Sequence, residues 1–362
     1  MISDLHLGAH RGTDVLRRSG PLEALCAHLD GFDRLVILGD GIELRHGPAR
    51  DALAVAEPVF NALGKALGRK GELILVSGNH DHGLVAPWLR ERGAEQEPEP
   101  LRLEERPGRK ASGLTRRLAE AASPAKLDVA FPGVWLREDV YATHGHYLDC
   151  LTTIPAFERL GAGVMARIVG ALPEAAARPD DFEALLSPMY AWLDAIAESR
   201  GGRWASARQG SSASAWELLS SSSARRPLKA RALIAIFPLG IRGLNRAGIG
   251  PLQSNLSGHA LRHAALTAMS EVVLRLQIDA EHVLFGHTHR AGPLESDPEA
   301  EWLVPGTATH LHNPGCWIDE PIFARGDTTG PYWAGRGIEV DDEGPPRLVR
   351  IVTDLGQAPS RA

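Results

Sequence analysis

The stretch VSGNHDHG, Val76 to Gly83, packs an asparagine, two histidines and an aspartate between glycines at the end of the apolar run ELILV, Glu72 to Val76. A short continuous apolar run suits a strand buried on both faces. Polar groups crowded at its end suggest a strand that presents side chains to a site. The same pattern recurs in RLVILGD (Arg34 to Asp40), DVYATHGH (Asp139 to His146) and HVLFGHTH (His282 to His289). Between the first two runs, ARDALAVAEPVFNALGKALGRKG carries apolar residues at helical spacing and stops at Gly71. Strand, helix, strand predicts an α/β fold. Open α/β sheets gather their ligands at the carboxyl ends of strands, so these polar ends are expected to share one cleft.

The rest of the chain departs from that rhythm. Residues 94–126 are charged and Pro-containing, and read as a loop with some helix. Residues 151–279 are Ala/Leu-rich and mostly helical in pattern, with a flexible Ser/Gly-rich tip near 201–227. Within them, 226–252 mixes basic and apolar residues. That reads as a buried helix, with a lid over a lipid-like substrate or a peripheral membrane contact as alternatives. After Arg290, short strands with Gly/Pro turns predict a C-terminal antiparallel sheet. A formal net charge of -6 argues against a nucleic-acid partner. Cys26, Cys150 and Cys316 are widely spaced, which suits reduced thiols in a cytoplasmic protein. The N-terminus has no secretory h-region, and no run is apolar enough to span a membrane.

Collected in chain order, the strand-end residues are Asp4, His6, Asp40, Asn79, His80, His144, His287 and His289. Carboxylate, imidazole and amide oxygen together suit Mn, Fe, Zn or similar divalent ions. On an extended segment, residues two apart point the same way, so both members of D-x-H and H-x-H are expected to reach one site. Asp40 could bridge two ions with one oxygen to each. Two ions about 3.5–4 Å apart clamp the attacking and leaving oxygens of a phosphoryl displacement and generate hydroxide near neutral pH.

The ordered set SDLHLG, LGDG, GNHD, THGH and GHTH resembles the calcineurin-like metallophosphoesterase superfamily. The resemblance implies a four-layer α/β/β/α sandwich with a core of 1–150 and 280–362, carrying 151–279 as a helical insert or cap. It also implies one ion on Asp4, His6, Asp40 and His289 and a second on Asp40, Asn79, His144 and His287. His80, with Asp81 behind it, would be the catalytic acid over the substrate phosphate, with Asn79 and His146 also contacting substrate. Gly78 is the expected permissive residue for a turn that lets Asn79 and His80 both face the cleft. HNPGCW, His312 to Trp317, resembles the family's structural turn beneath the site. His10, His46 and His82 read as solvated loop histidines. Related lipid A pathway enzymes carry Asp at the position of His146 and usually Arg at that of His80, and because of the latter their substrate does not carry over. Only Met1 and Ile2 precede Ser3, so either the chain start lies further upstream or the first strand is stunted, with unpaired backbone beside the ligands.

The expected activity is hydrolysis of a phosphomonoester, phosphodiester or pyrophosphate bond in a small phosphorylated or nucleotide-like substrate. Two divalent ions, manganese first and iron, zinc or nickel next, are the expected cofactors. A non-catalytic metal-binding scaffold and a nuclease using Arg106, Arg109, Lys110, Arg116 and Arg117 are the alternatives. Oligomeric state leaves no signal in the sequence.

Overall fold

The computed structural model describes residues 1–200, 228–319 and 328–356, so the Ser/Gly-rich tip at 201–227 lies outside the described residues. The strands anticipated from apolar runs are β1 (Arg34–Leu38) and β2 (Glu72–Val76), then β5 (Val140–Thr143) and β6 (His282–Phe285). The charged segment before them contributes a two-residue strand, β3 (Glu104–Glu105), and a helix. One long strand had no anticipation: β4, Lys126–Arg137, whose apolar run is interrupted by Pro132.

These strands form one curled, mostly parallel sheet in the order β1-β2-β4-β5-β6-β7, with β7 at His310–His312 and β3 on β4. β4 is the hinge of that curl. Its first half runs parallel to β2, and its second half runs antiparallel to β5. Alternation along the strands separates the two faces. Val36, Leu38, Ile74 and Val76 point inward against Val134, Val140, Ala142 and Leu284 from the other half. Leu35, Ile37, Leu73 and Leu75 point outward against helices.

Those helices are α1 (Ser19–His28), α2 (Ala49–Leu67), α3 (Ala86–Gly93) and α4 (Gly113–Ala121). In α2, Ala52, Leu53, Ala56, Val59, Phe60 and Leu63 make the buried stripe, and Gly68 at φ 71 ends the helix three residues before the expected stop. The outer face of the other half, β5 and β6, is covered by the insert helices α5 (Phe157–Val169), α6 (Pro179–Arg200) and α8 (Gly258–Arg275), with α7 (Leu228–Arg246) preceding α8 in the chain. Among the described residues they share a core with the sheet. Phe182, Leu186 and Tyr190 of α6, with Met269 and Val273 of α8, pack in one cluster with Tyr141, Val283 and Phe285 of the sheet. The described end of α7 corrects the expected buried helix: Leu239 is exposed and only Ile241 is buried there.

Two further differences lie at the chain ends. After Arg290, β8 (Arg336–Glu339) and β9 (Arg347–Arg350) form the antiparallel hairpin, but β7 is parallel to β6. At the start, Met1 and Ile2 are paired rather than left with free backbone groups. The Ile2 amide donates to Val36 O at 2.9 Å and the Leu38 amide to Ile2 O at 2.8 Å, while Met1 exchanges hydrogen bonds with Ile338 of β8. Among the described residues, no helix is long and apolar enough to cross a membrane.

Gly64 shows how closely α2 and the end of α4 approach: a Cβ there would overlap the carbonyl of Ala122. Alanine is the better helix former, yet Gly64→Ala should lower stability by about 1–3 kcal/mol through overpacking. A chemical-denaturation curve checks this; unchanged or raised stability would contradict the close packing.

Candidate metal centre

Asp4, His6, Asp40, His287 and His289 sit at the strand ends with left-handed backbone, φ between 44 and 65. Among the described residues only Ala176 and Gln277 are other non-glycine positions in that region. Such conformations cost roughly 1–3 kcal/mol each and persist where the surroundings impose them. They also correct the reason given for the D-x-H and H-x-H pairs. The segments are kinked rather than extended, and His287 and His289 face different ligand groups. Two glycines make room. Gly39, at φ +83, lies against the His144 ring, and a Cβ on Gly78 would overlap Asp40 Oδ1. Gly78 has no left-handed φ, so its role is close approach rather than a permissive turn.

The structure brings Asp4, His6, Asp40, Asn79, His144, His287 and His289 together in two adjoining sets. In one, His289 Nε2 lies 3.3 Å from Asp4 Oδ1 and 3.3 Å from His6 Nε2, which is 3.6 Å from Asp40 Oδ2. In the other, His144 Nε2 lies 3.3 Å from Asp40 Oδ2 and 3.0 Å from Asn79 Oδ1, which is 3.1 Å from His287 Nδ1. Asp40 Oδ2 belongs to both. Its Oδ1 accepts from the His80 amide at 2.8 Å, so the expected division of one oxygen per ion gives way to one oxygen facing both sets.

The remote ring nitrogens decide what these groups can hold. His6 Nδ1 donates to Glu43 Oε2 at 2.9 Å and His144 Nδ1 to the Leu38 carbonyl at 2.9 Å. His287 Nε2 faces Asp149 Oδ2 at 3.0 Å. The hydrogen bonds orient the His6 and His144 rings so that the other nitrogen of each faces the cluster, where it offers a lone pair once its proton is displaced. Asp4 Oδ2 accepts from Ser3 Oγ at 2.6 Å and from the His287 amide at 3.0 Å, whereas its buried Oδ1 has no hydrogen-bond partner. Lone pairs from carboxylates and imidazoles facing one another at these distances repel unless a proton or a cation lies among them. Gaps of this size match neighbouring ligand atoms around an ion with bonds near 2.0–2.2 Å. The Asp4–His6–His289 and Asp40–His144–His287 groups could each hold a metal ion. Asn79 reports the same choice. With its oxygen inward it completes the second set, and with the amide exchanged its nitrogen would donate to Asp40 Oδ2 at 3.2 Å instead.

A third group, His6–Glu43–His80, also has the composition of a metal site. Glu43 is better explained as an orienting base, because His6 uses Nδ1 on Glu43 and turns Nε2 to the other ligands. Glu43 Oε2 also accepts from His80 Nδ1 at 2.8 Å. His80 is a quarter exposed, 25% by side chain, and its Nε2 edge is the one Glu43 leaves open. At the far end of β6, Asp139, Glu281 and His282 form a fourth group, but Arg137 already grips both oxygens of Asp139, at 2.5 and 2.8 Å.

Several expected roles change. Asp81 does not stand behind His80; its carboxylate accepts from the Gly78 and Gly41 amides at 2.6 and 2.7 Å and pins the two ligand loops together. His80 is oriented by Glu43. His146 is buried against Tyr147 and Tyr190 with Nε2 3.9 Å from Glu183, facing the insert. His82 and His46 are buried, not solvated: His82 Nε2 lies 3.1 Å from Glu183 Oε2, and His46 stacks on His10 beside Glu43. The turn HNPGCW packs beneath the site, with Asn313 Nδ2 donating to Gly286 O at 2.9 Å and the Trp317 amide to Asp4 O at 3.0 Å. Glu43, Asp149, Ser3 and Glu183 escaped the sequence reading. Only Glu43, an acid three residues beyond Asp40 in the same loop, left a signal there.

Burial works against charge on His6 and His144, but the carboxylates around them win: His6 is raised to about 9 by Glu43, Asp40 and Asp4, and His144 to about 10 chiefly by Asp40. Asp40 and Glu43, despite burial, lie well below the usual carboxylate range because of the imidazoles. Burial and the Asp40 charge raise Asp81 to about 7. Burial lowers His46 and His146 to about 4. Without a cation, protons take its place. Neither a scan against protein-family models nor a search of curated proteins finds a match for the chain.

A pH dependence follows. His6 and His144 have folded values above the unfolded 6.5, so their contribution is full below that and is lost as pH rises through about 9 and about 10. The Met1 amine, lowered by burial to about 5, changes with the opposite sign but is finished by about pH 8. Cys150, raised by burial, adds a fall common to metal-loaded and chelated protein. A bound cation replaces the imidazole protons. The Tm difference between metal-loaded and chelated protein should therefore widen from about pH 8 to 9.5. A constant or shrinking difference in anaerobic thermal melts would count against these assignments.

Proposed function

We propose that the protein is a phosphoester hydrolase of the calcineurin-like metallophosphoesterase type. It would use two divalent cations, manganese first among them, with iron, zinc or nickel as alternatives. The observation that carries this reading is Asp40 Oδ2, faced by His6 Nε2 from one ligand set and by His144 Nε2 from the other. One ion would be held by Asp4, His6, Asp40 and His289, the other by Asp40, Asn79, His144 and His287. The α/β/β/α layering that belongs with this reading is supported by the apolar contact between the two halves of the curled sheet and by helices against both outer faces.

When bound, such ions would supply Lewis acidity to phosphoryl oxygens and lower the pKa of an attacking water. The chain's residues account for the rest. His80 presents Nε2 at the open edge of the cluster, where a proton can pass to the leaving oxygen. Glu43 holds the opposite nitrogen of the same ring and fixes its orientation. Phosphomonoesters, phosphodiesters and pyrophosphates of small or nucleotide-like molecules all suit this arrangement. The nuclease alternative loses support from its basic residues: Arg106 is paired with Glu104 and Asp128, and Arg117 with Glu57.

Manganese-loaded protein should cleave p-nitrophenyl phosphate, its bis ester, or both. His80→Ala should lower kcat by about 10²-fold or more, and Glu43→Gln by roughly tenfold or more through loss of orientation. If both esters remain intact with the ligand set loaded, the proposal is wrong.

A further inference from the structure

Arg45 lies in the loop that carries Asp40 and Glu43, and its side chain is only 8% exposed. Nη1 donates to Glu158 Oε1 of α5 at 3.0 Å, and the guanidinium carbon sits 4.9 Å above the Tyr190 ring of α6. Nε and Nη2 are buried and have no hydrogen-bond partner. Buried donors left unpaired are costly, and those of a guanidinium more so. The free donors belong to a planar fork that fits two oxygens of a phosphate.

The position of this fork relative to Asn79 narrows what it can bind. Arg45 Nη1 lies 3.2 Å from the outer atom of the Asn79 amide. If Asn79 turns its oxygen to a cation, that outer atom is the NH2 group, and two donors then confront each other. An anionic oxygen beside them can accept from both. Charge argues the same way. Asp40 and Glu43 contribute to the negative field around Arg45. A cation on Asp40 would offset part of that field, leaving Glu158 as the nearest counter-charge. Glu158 belongs to the insert and is itself 21% exposed, so it can swing away.

We propose that Arg45 is the substrate-phosphate anchor of this centre and that Glu158 is its placeholder, displaced when a phosphoryl oxygen takes the guanidinium. This rests on the phosphoester reading. It adds a residue outside the ligand set and gives the insert a part in the site, because the competing carboxylate is carried on α5.

The test uses inorganic phosphate binding to the metal-loaded full chain, measured by calorimetry, with KM and kcat determined alongside. Arg45→Met retains an unbranched stem over Tyr190 and should raise the Kd for phosphate about tenfold or more. KM should rise with it, while metal content stays at the wild-type level. Glu158→Gln, at a partly exposed position, should shift Kd the other way, to tighter binding. Unchanged phosphate affinity in Arg45→Met would overturn the anchor. Weakened affinity in Glu158→Gln would overturn the placeholder, since Glu158 would then be holding Arg45 in place. If wild type binds no phosphate and cleaves no ester, the underlying phosphoester reading fails. If wild type does both and Arg45→Met matches it, only this inference fails.

Discussion

Mutual repulsion among buried lone pairs is the constraint around which this site is organised. Asp4 Oδ1, Asp40 Oδ2, Asn79 Oδ1 and the inward nitrogens of His6, His144, His287 and His289 converge at neighbouring separations of 3.0 to 3.6 Å, so a proton or a cation must lie among them. A chain would not hold such an arrangement on its own preferences. Glu43, the Leu38 carbonyl and Asp149 fix the rings from outside, and Asp81 ties together the loops that follow β1 and β2. The left-handed backbone at five of the converging residues is stored strain of the kind that clusters at functional sites. Apolar layers on both faces of the curled sheet offset it.

The insert is joined to this arrangement rather than appended to it. Its helices complete the core beneath β5 and β6, and α6 sends Glu183 between His82 and His146, three residues from Asn79 and two from His144. α5 sends Glu158 to Arg45. Changes within 151–279 therefore reach the candidate ligand loops through Glu183 and Glu158.

Much of this was legible in the sequence where chemistry and strand ends coincide. Apolar runs closing on Asp40, Asn79, His144 and His287 located four strands and the residues at their tips, because a fully buried strand has a simple signature. β4 was missed because Pro132 breaks its run, and Pro is usually excluded from a central strand. Roles that depend on long-range packing left no trace. His82 read as a solvated loop histidine and His146 as a substrate contact, until Glu183 of α6, 101 residues beyond His82, comes to lie beside both. Asp81 looked like the partner of its neighbour His80, yet its carboxylate turns to the amides of Gly41 and Gly78. Adjacency in the chain does not tell which way a side chain faces once the backbone kinks.

The most direct measurement is elemental analysis of the chain after manganese loading and removal of free metal, with Asp40→Ala treated alongside. Two ligand sets sharing one oxygen predict about two equivalents bound to wild type and a collapse well below one in Asp40→Ala. Wild type that retains no divalent cation, or Asp40→Ala that retains as much as wild type, would contradict the account.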